Sequence, residues 1–247
     1  MKNKFINFVN RLRHTPVQDM SEFVIVIFGG SGKIGSVMVN YFLEKGARIA
    51  LFGRDIRKIN SVVDNKNEDK VLMYEGDIVN ENEIRVFFDK IKKKFGKIDA
   101  VVNTVGEFCE LKIDKISSKS IDQMCNSNFK SVVIPSKVAI NVLDKGSTIV
   151  NFGSYIINNK NVGSGKALYL AFKSALDGFS RAFSVEAKKK GIRVVCIEPA
   201  TVSNFITKDF LKYINPITLA EMIEFVLKFN DIDFGTISFK SVNQSNI

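Results

Sequence analysis

The chain has little histidine, tryptophan, proline or cysteine: one, none, four and three among 247 residues. A single histidine, His14, leaves no Ser-His-Asp triad, no Cys-His pair and no histidine-built metal centre. Cys109, Cys125 and Cys196 are widely spaced, odd in number and free of any Cys-x-x-Cys pair. That pattern suits reduced thiols and argues against a disulfide framework or a zinc site. No apolar run approaches the ~20 residues that a spanning helix needs. The opening Phe5-Ile6-Asn7-Phe8-Val9-Asn10-Arg11 is too short and polar for a secretory signal core. A cytoplasmic chain with no transmembrane segment and no metal is expected. Its acid–base chemistry must come from groups other than histidine.

The charge is one-sided, at +10. Lys92-Lys93-Lys94 precedes Phe95-Gly96, and Lys188-Lys189-Lys190 precedes Gly191, so both runs read as helix ends rather than a nucleic-acid groove. A basic surface still suits anionic partners such as NADP, nucleotide sugars, acyl-CoA or an acidic carrier protein.

Residues 1–22 read as an extension in which Phe5, Phe8, Val9 and Leu12 keep helical spacing and Pro16 ends the segment. From residue 23 to 247 strand and helix patterns alternate. Strands are expected near 23–28, 47–52, 71–75, 98–103, 147–152, 192–197 and 235–240. Helices are expected near 33–45, 55–63, 80–95, 117–143, 167–190 and 217–229. Near-continuous apolar strands, as in Val24 to Phe28, imply a parallel sheet covered on both faces. The fold class is α/β, one doubly wound domain of about seven strands without an internal linker. In such sheets ligands bind beyond the carboxyl ends of the strands.

The residues at that edge carry chemistry. Phe28-Gly29-Gly30-Ser31-Gly32-Lys33-Ile34-Gly35 joins the first strand to the first helix, with Gly29, Gly32 and Gly35 three apart. Glycine lets a pyrophosphate approach the free N–H groups of a helix start, so this turn reads as dinucleotide-binding. The second strand ends in Gly53-Arg54. An arginine there accommodates the 2′-phosphate of NADP, where an acid would hold the ribose of NAD. Lys33 adds a second positive charge, and Asp55 reads as the cap of the next helix. NADP(H) is therefore preferred, with NAD(H) the alternative.

After the fifth strand comes Ser154, and the following helix carries Tyr169 and Lys173. Positions i and i+4 share a helix face, about 6 Å apart along the axis. A free tyrosine has a pKa near ~10. An ammonium ~4 Å away at an effective dielectric of ~20 is worth up to roughly 4 kcal/mol, enough to bring that hydroxyl toward neutrality. Tyr169 is thus expected to act as acid and base, with Ser154 on the same substrate oxygen.

Together these residues resemble the short-chain dehydrogenase/reductase family from Phe23 onward. Asn103-Thr104-Val105-Gly106 is similar to its Asn-Asn-Ala-Gly segment, and Asn126-Ser127-Asn128 to the segment bearing its catalytic asparagine. Pro199-Ala200-Thr201-Val202 resembles the segment that passes the nicotinamide. The resemblance implies a Rossmann-type domain, usually a homodimer or homotetramer, with Asn128, Ser154, Tyr169 and Lys173 as catalytic tetrad. It implies cofactor contacts from Gly29, Ser31, Gly32, Lys33, Ile34, Gly35, Arg54, Asp77, Ile78, Asn103, Gly106, Tyr169, Lys173, Pro199 and Val202. Length and tetrad match the classical branch. The glycine spacing is nearer the extended branch, because Lys33 stands where a middle glycine would be. Hydride transfer to a small-molecule or carrier-bound carbonyl, a 3-oxoacyl thioester or sugar ketone, is the expected activity. A sugar-nucleotide epimerase or dehydratase that retains its cofactor, and a non-catalytic NADP(H)-binding regulator, are the alternatives. The segment 203–216 is short for a substrate lid and implies an open site.

Overall fold

The computed structural model describes residues 20–63, 65–160, 162–203, 213–229 and 231–240. The helical pattern at Phe5 to Leu12, most of the 203–216 segment and the C-terminal residues 241–247 lie outside the described residues.

Seven parallel strands form one sheet in the order β3-β2-β1-β4-β5-β6-β7. They are β1 (Val24–Phe28), β2 (Arg48–Gly53), β3 (Val71–Glu75), β4 (Ala100–Asn103), β5 (Thr148–Phe152), β6 (Arg193–Pro199) and β7 (Thr236–Phe239). All seven fall where the apolar runs placed them. Strand β1 lies between β2 and β4, so the chain direction of the winding reverses at β1/β4. A crevice opens at that point beyond the carboxyl ends.

The period of two along β1 divides the core. Ile25 and Ile27 join Met38 and Phe42 of helix α1 (Lys33–Glu44) and Leu219 and Ile223 of α7 (Pro216–Lys228). Val24, Val26 and Phe28 point the other way, onto Phe87 and Phe88 of α3 (Glu81–Phe95) and Phe183 of α6 (Ala167–Lys189). All five β1 side chains are fully buried, each of the large apolar ones contributing about 1.5–3 kcal/mol. The packed body starts earlier than residue 23. Met20 is fully buried in the first cluster, and its N–H donates to the Lys45 carbonyl at 3.0 Å.

Helix ends follow local chemistry. Asp55 caps α2 (Ile56–Asn60), its Oδ1 accepting from the Arg57 and Lys58 amides at 3.0 and 3.4 Å. Gly96 ends α3 at φ +80°, as its position after three lysines predicts. Two of those lysines are engaged: Lys92 pairs with Asp144 at 2.7 Å, and Lys94 donates to the Val71 carbonyl at 2.7 Å.

The expected single helix over 117–143 is instead three pieces. Helix α4 (Ser118–Cys125) widens into a π turn, Asn126–Lys130, before α5 (Ser131–Ala139). Asn126-Ser127-Asn128 is weak helix-forming sequence, and the extra residue in the turn sends Asn128 inward to complete burial.

Candidate active site

The glycine turn is set by steric necessity. Gly29 takes φ +83°, and a Cβ on Gly35 would sit 2.2 Å from the Gly29 carbonyl oxygen. Helix α1 can therefore begin against the end of β1 only if position 35 has no side chain. The Gly32 amide closes the turn onto Gly29 O at 2.9 Å. Ser31, Gly32 and Lys33 stand exposed above it. A backbone this bare at a helix N-terminus fits the pyrophosphate of a dinucleotide.

Further along the edge, Arg54 is exposed at the end of β2. Asp77 is also exposed, and its Oδ1 accepts from the Val79 amide at 3.2 Å. Ile78 packs into the second core cluster, half-buried.

Beyond β4, β5 and β6 lies a cleft of about 530 Å³. Its lining brings together Ile34, Gly106, Ser154, Tyr169, Lys173, Pro199 and Val202, residues from five separate stretches of the chain. Ser154 caps the 3-10 turn Tyr155–Asn158, with Oγ 3.4 Å from the Ile156 amide. The same hydroxyl lies close enough to Tyr169 to act on its protonation.

The electrostatics correct one expectation. Burial pushes the Tyr169 hydroxyl above the ordinary tyrosine range, and the neighbouring Ser154 hydroxyl opposes this only in part. Lys173 does not offset it. Its ammonium is buried, donates to the Phe152 carbonyl at 2.9 Å and lies 5.8 Å from the centre of the Tyr169 ring. Burial also lowers Lys173 itself to about 8, the nearby Cys196 acting in the opposite sense. Tyr169 is therefore held as a protonated donor at neutral pH, and desolvation outweighs the expected pull of the lysine.

Asn128 donates to the Glu107 carbonyl at 3.0 Å and to Ser127 Oγ at 3.0 Å, while its buried Oδ1 has no partner. A Cβ on Gly106 would lie 2.9 Å from that Oδ1 and 3.2 Å from Lys173 Nζ. Gly106 thus lets the amide oxygen and the ammonium approach one point on the floor of the cleft, where an acceptor without a partner suits a bridging hydroxyl or water.

The Asn103 side chain is fully buried and donates to Asn151 Oδ1 at 2.8 Å and Ser136 Oγ at 3.2 Å. Asn151 continues the network to Ser180 at 3.0 Å. Desolvated amides need such partners, so Asn103 fastens β4 to β5 and leaves the lining to Thr104, Val105 and Gly106. The Thr104 hydroxyl donates to the Phe28 carbonyl at 2.8 Å, which ties this strand end to the glycine turn.

Sequence reading missed Phe108, 59% exposed and edge-on to Tyr169 at 5.1 Å. It also missed Lys166 and Lys240 on the lining. Lys166 had a signal, three residues before Tyr169 at the start of the same helix, which it immediately precedes; Lys240 had none, since only the β6–β7 pairing brings it there.

The model of a family described as short chain dehydrogenase matches residues 23–213. Carbonyl reductase family member 4 of Xenopus laevis is 29% identical over 188 residues, 75% of this chain and 78% of that protein. Human 3-oxoacyl-(acyl-carrier-protein) reductase is 28% identical over 188 residues, with the same shares of 75% and 78%. Among solved structures, a short chain dehydrogenase of Burkholderia cenocepacia J2315 in complex with NADP superposes with a TM-score of 0.80 at 22% identity. The match covers 91% of this chain and 98% of that one. A Serratia marcescens short-chain dehydrogenase/reductase gives 0.81 at 22% identity, over 92% and 100% of the two chains. The family match runs from the first strand through the sixth and takes in every residue that meets at Tyr169 except Lys240, and on that extent the chain belongs to the short-chain dehydrogenase family.

Proposed function

We propose that the protein is an NADP(H)-dependent carbonyl reductase. The observation that carries the reading is the convergence of Ser154, Tyr169 and Lys173 in one cleft, with Tyr169 beside Ser154 and kept protonated by burial. Reduction of a carbonyl needs a proton donor at the oxygen, and Tyr169 is one at neutral pH.

The residues present fit a dinucleotide. The bare turn at Gly29 to Gly35 would hold its pyrophosphate, and Ile34, Pro199 and Val202 would border the nicotinamide. When bound, the reduced nicotinamide supplies the hydride that adds to the carbonyl carbon. Ser154 orients the carbonyl oxygen, and Tyr169 gives its hydroxyl proton to that oxygen as the alcohol forms. Lys173, fixed by the Phe152 carbonyl, would hold the nicotinamide ribose. The unpartnered Asn128 oxygen holds a water through which a proton returns.

Preference for NADP(H) rests on the end of β2. The acid next to Arg54 in the chain, Asp55, has its carboxylate committed to the cap of α2, while Arg54 stays exposed. The 3-oxoacyl substrate in the name of the human relative agrees with a carbonyl beside an acyl chain, and a sugar ketone is the second class. A homodimer or homotetramer is part of the reading, to be measured by light scattering.

The test is NADPH oxidation with a ketone panel, wild type against Tyr169→Phe. Turnover that the variant loses while it keeps NADPH binding is expected. Equal turnover by both proteins would overturn the assignment.

A further inference from the structure

The cleft beside Tyr169 holds two lysines that the proposed chemistry does not use. Lys166 immediately precedes α6, and Lys240 immediately follows β7; both line the same cleft as Ser154 and Tyr169. Among the described residues neither ammonium makes an ion pair or a hydrogen bond. Lys188 and Lys190, by contrast, have partners, Asp233 and the Ile140 carbonyl. The lining has one carboxylate, Glu107, against three lysines, and Lys173 already donates to Phe152.

Room for a ligand is left beside the first of these ammoniums. Lys166 Nζ lies 3.4 Å from where a Cβ on Gly163 would stand, so the ammonium sits beside a residue that puts no side chain into the cleft. The apolar side chains Phe108, Ile156 and Val162 are also on the lining. Neither Arg54 nor Lys33 lines this cleft, so the two lysines stand apart from the charges assigned to the cofactor phosphate.

We propose that the substrate is an anionic ketone, a short oxo acid or a phosphate-bearing acyl carrier, whose negative group is held by Lys166 and Lys240 while its carbonyl meets Tyr169. This rests on the carbonyl-reductase reading and names its substrate class. Lys166 is half-buried and Lys240 exposed; a cation without a partner among the described residues gains from an anion, and the apolar side chains on the lining would seat the carbon chain.

The experiment compares 3-oxobutanoate and 4-oxopentanoate with their methyl esters, and acetoacetyl-CoA with acetoacetyl-N-acetylcysteamine. Wild type should prefer the anionic member of at least one pair. In the Lys166→Ala/Lys240→Ala double variant that preference, as a ratio of kcat/KM values, should fall by about tenfold or more. A fall confined to the oxo-acid pairs identifies a carboxylate, and one confined to the thioesters identifies the carrier phosphate. An unchanged ratio, or preference for the neutral members by wild type, overturns the proposal. Calorimetric titration of 4-oxopentanoate and acetoacetyl-CoA into the protein–NADP⁺ complex separates this from the parent reading. Binding weakened by the double variant without any turnover sinks the reductase and keeps the anion site. No binding of either probe by wild type sinks the anion site.

Discussion

The two halves of the carboxyl edge are built differently. At β1–β3 the residues suited to a dinucleotide are exposed: Ser31, Gly32, Lys33, Arg54 and Asp77. At β4–β6 the chemistry sits on buried groups fixed by named partners, Lys173 on the Phe152 carbonyl and Asn128 on the Glu107 carbonyl. The first half recognises by bare backbone and surface charge, so changes there should move affinity. The second holds polar groups out of water, where geometry and protonation are over-determined, so changes there should move the chemical step.

The sharpest way to break this contrast is Tyr169→Phe. We expect kcat to fall by about 10²–10⁴-fold, with NADPH affinity by fluorescence titration changed by less than about threefold. A variant that loses cofactor binding instead would place Tyr169 in the recognition half.

Gly35→Ala tests the other side. Its new Cβ would meet the Gly29 carbonyl at 2.2 Å, and overpacking of this kind costs about 1–3 kcal/mol. A Tm lower by roughly 3–10 °C is expected, together with weaker NADPH binding. An unchanged melting curve would show that α1 can retreat from β1 freely.

Arg54→Ala should be gentler and more selective. NADPH affinity is expected to drop by about tenfold while NADH affinity stays the same. Equal loss for both cofactors would remove Arg54 from the 2′-phosphate.

The smallest effect comes from the titration of Lys173. Its folded pKa is about 8 against an ordinary lysine near ~10.4. Between those values the unfolded chain binds a proton that the folded chain does not, so stability rises with pH across that window. The burial penalty is fully present below about pH 8. Cys196, pushed up to about 12 by burial, acts with the opposite sign from about pH 9, so the measurement must be a difference. The Tm of wild type minus that of Lys173→Met should increase from pH 7.5 to 10. A flat difference would mean that Lys173 is not desolvated.

Asn103 and Asn128 show how far residue patterns reach. Both stand in motifs that read as functional, and both bury an Oδ1 without a partner. Asn103 lies on β4 facing Ser136 and Asn151, and is spent on joining strands. Asn128 is turned toward Gly106 by a π turn, which no periodicity announces because one extra residue leaves the apolar spacing on either side intact. Tyr169 adds the same lesson: the i, i+4 spacing to Lys173 was legible, but the balance between an ammonium and desolvation depends on what covers the hydroxyl.

The sequence by itself determined the seven strands, their parallel α/β arrangement, the glycine turn and the helix face shared by Tyr169 and Lys173. These follow from local rules of apolar periodicity, the missing Cβ and the helical repeat, which act within a few residues. Only the tertiary structure decided that the Asn103 side chain is buried against Asn151 and Ser136, that burial raises the Tyr169 hydroxyl, and that Lys166 and Lys240 line one cleft. Those outcomes depend on burial and on distances between residues far apart in the chain, and a side chain's neighbours across a sheet are fixed by the packing of the whole domain.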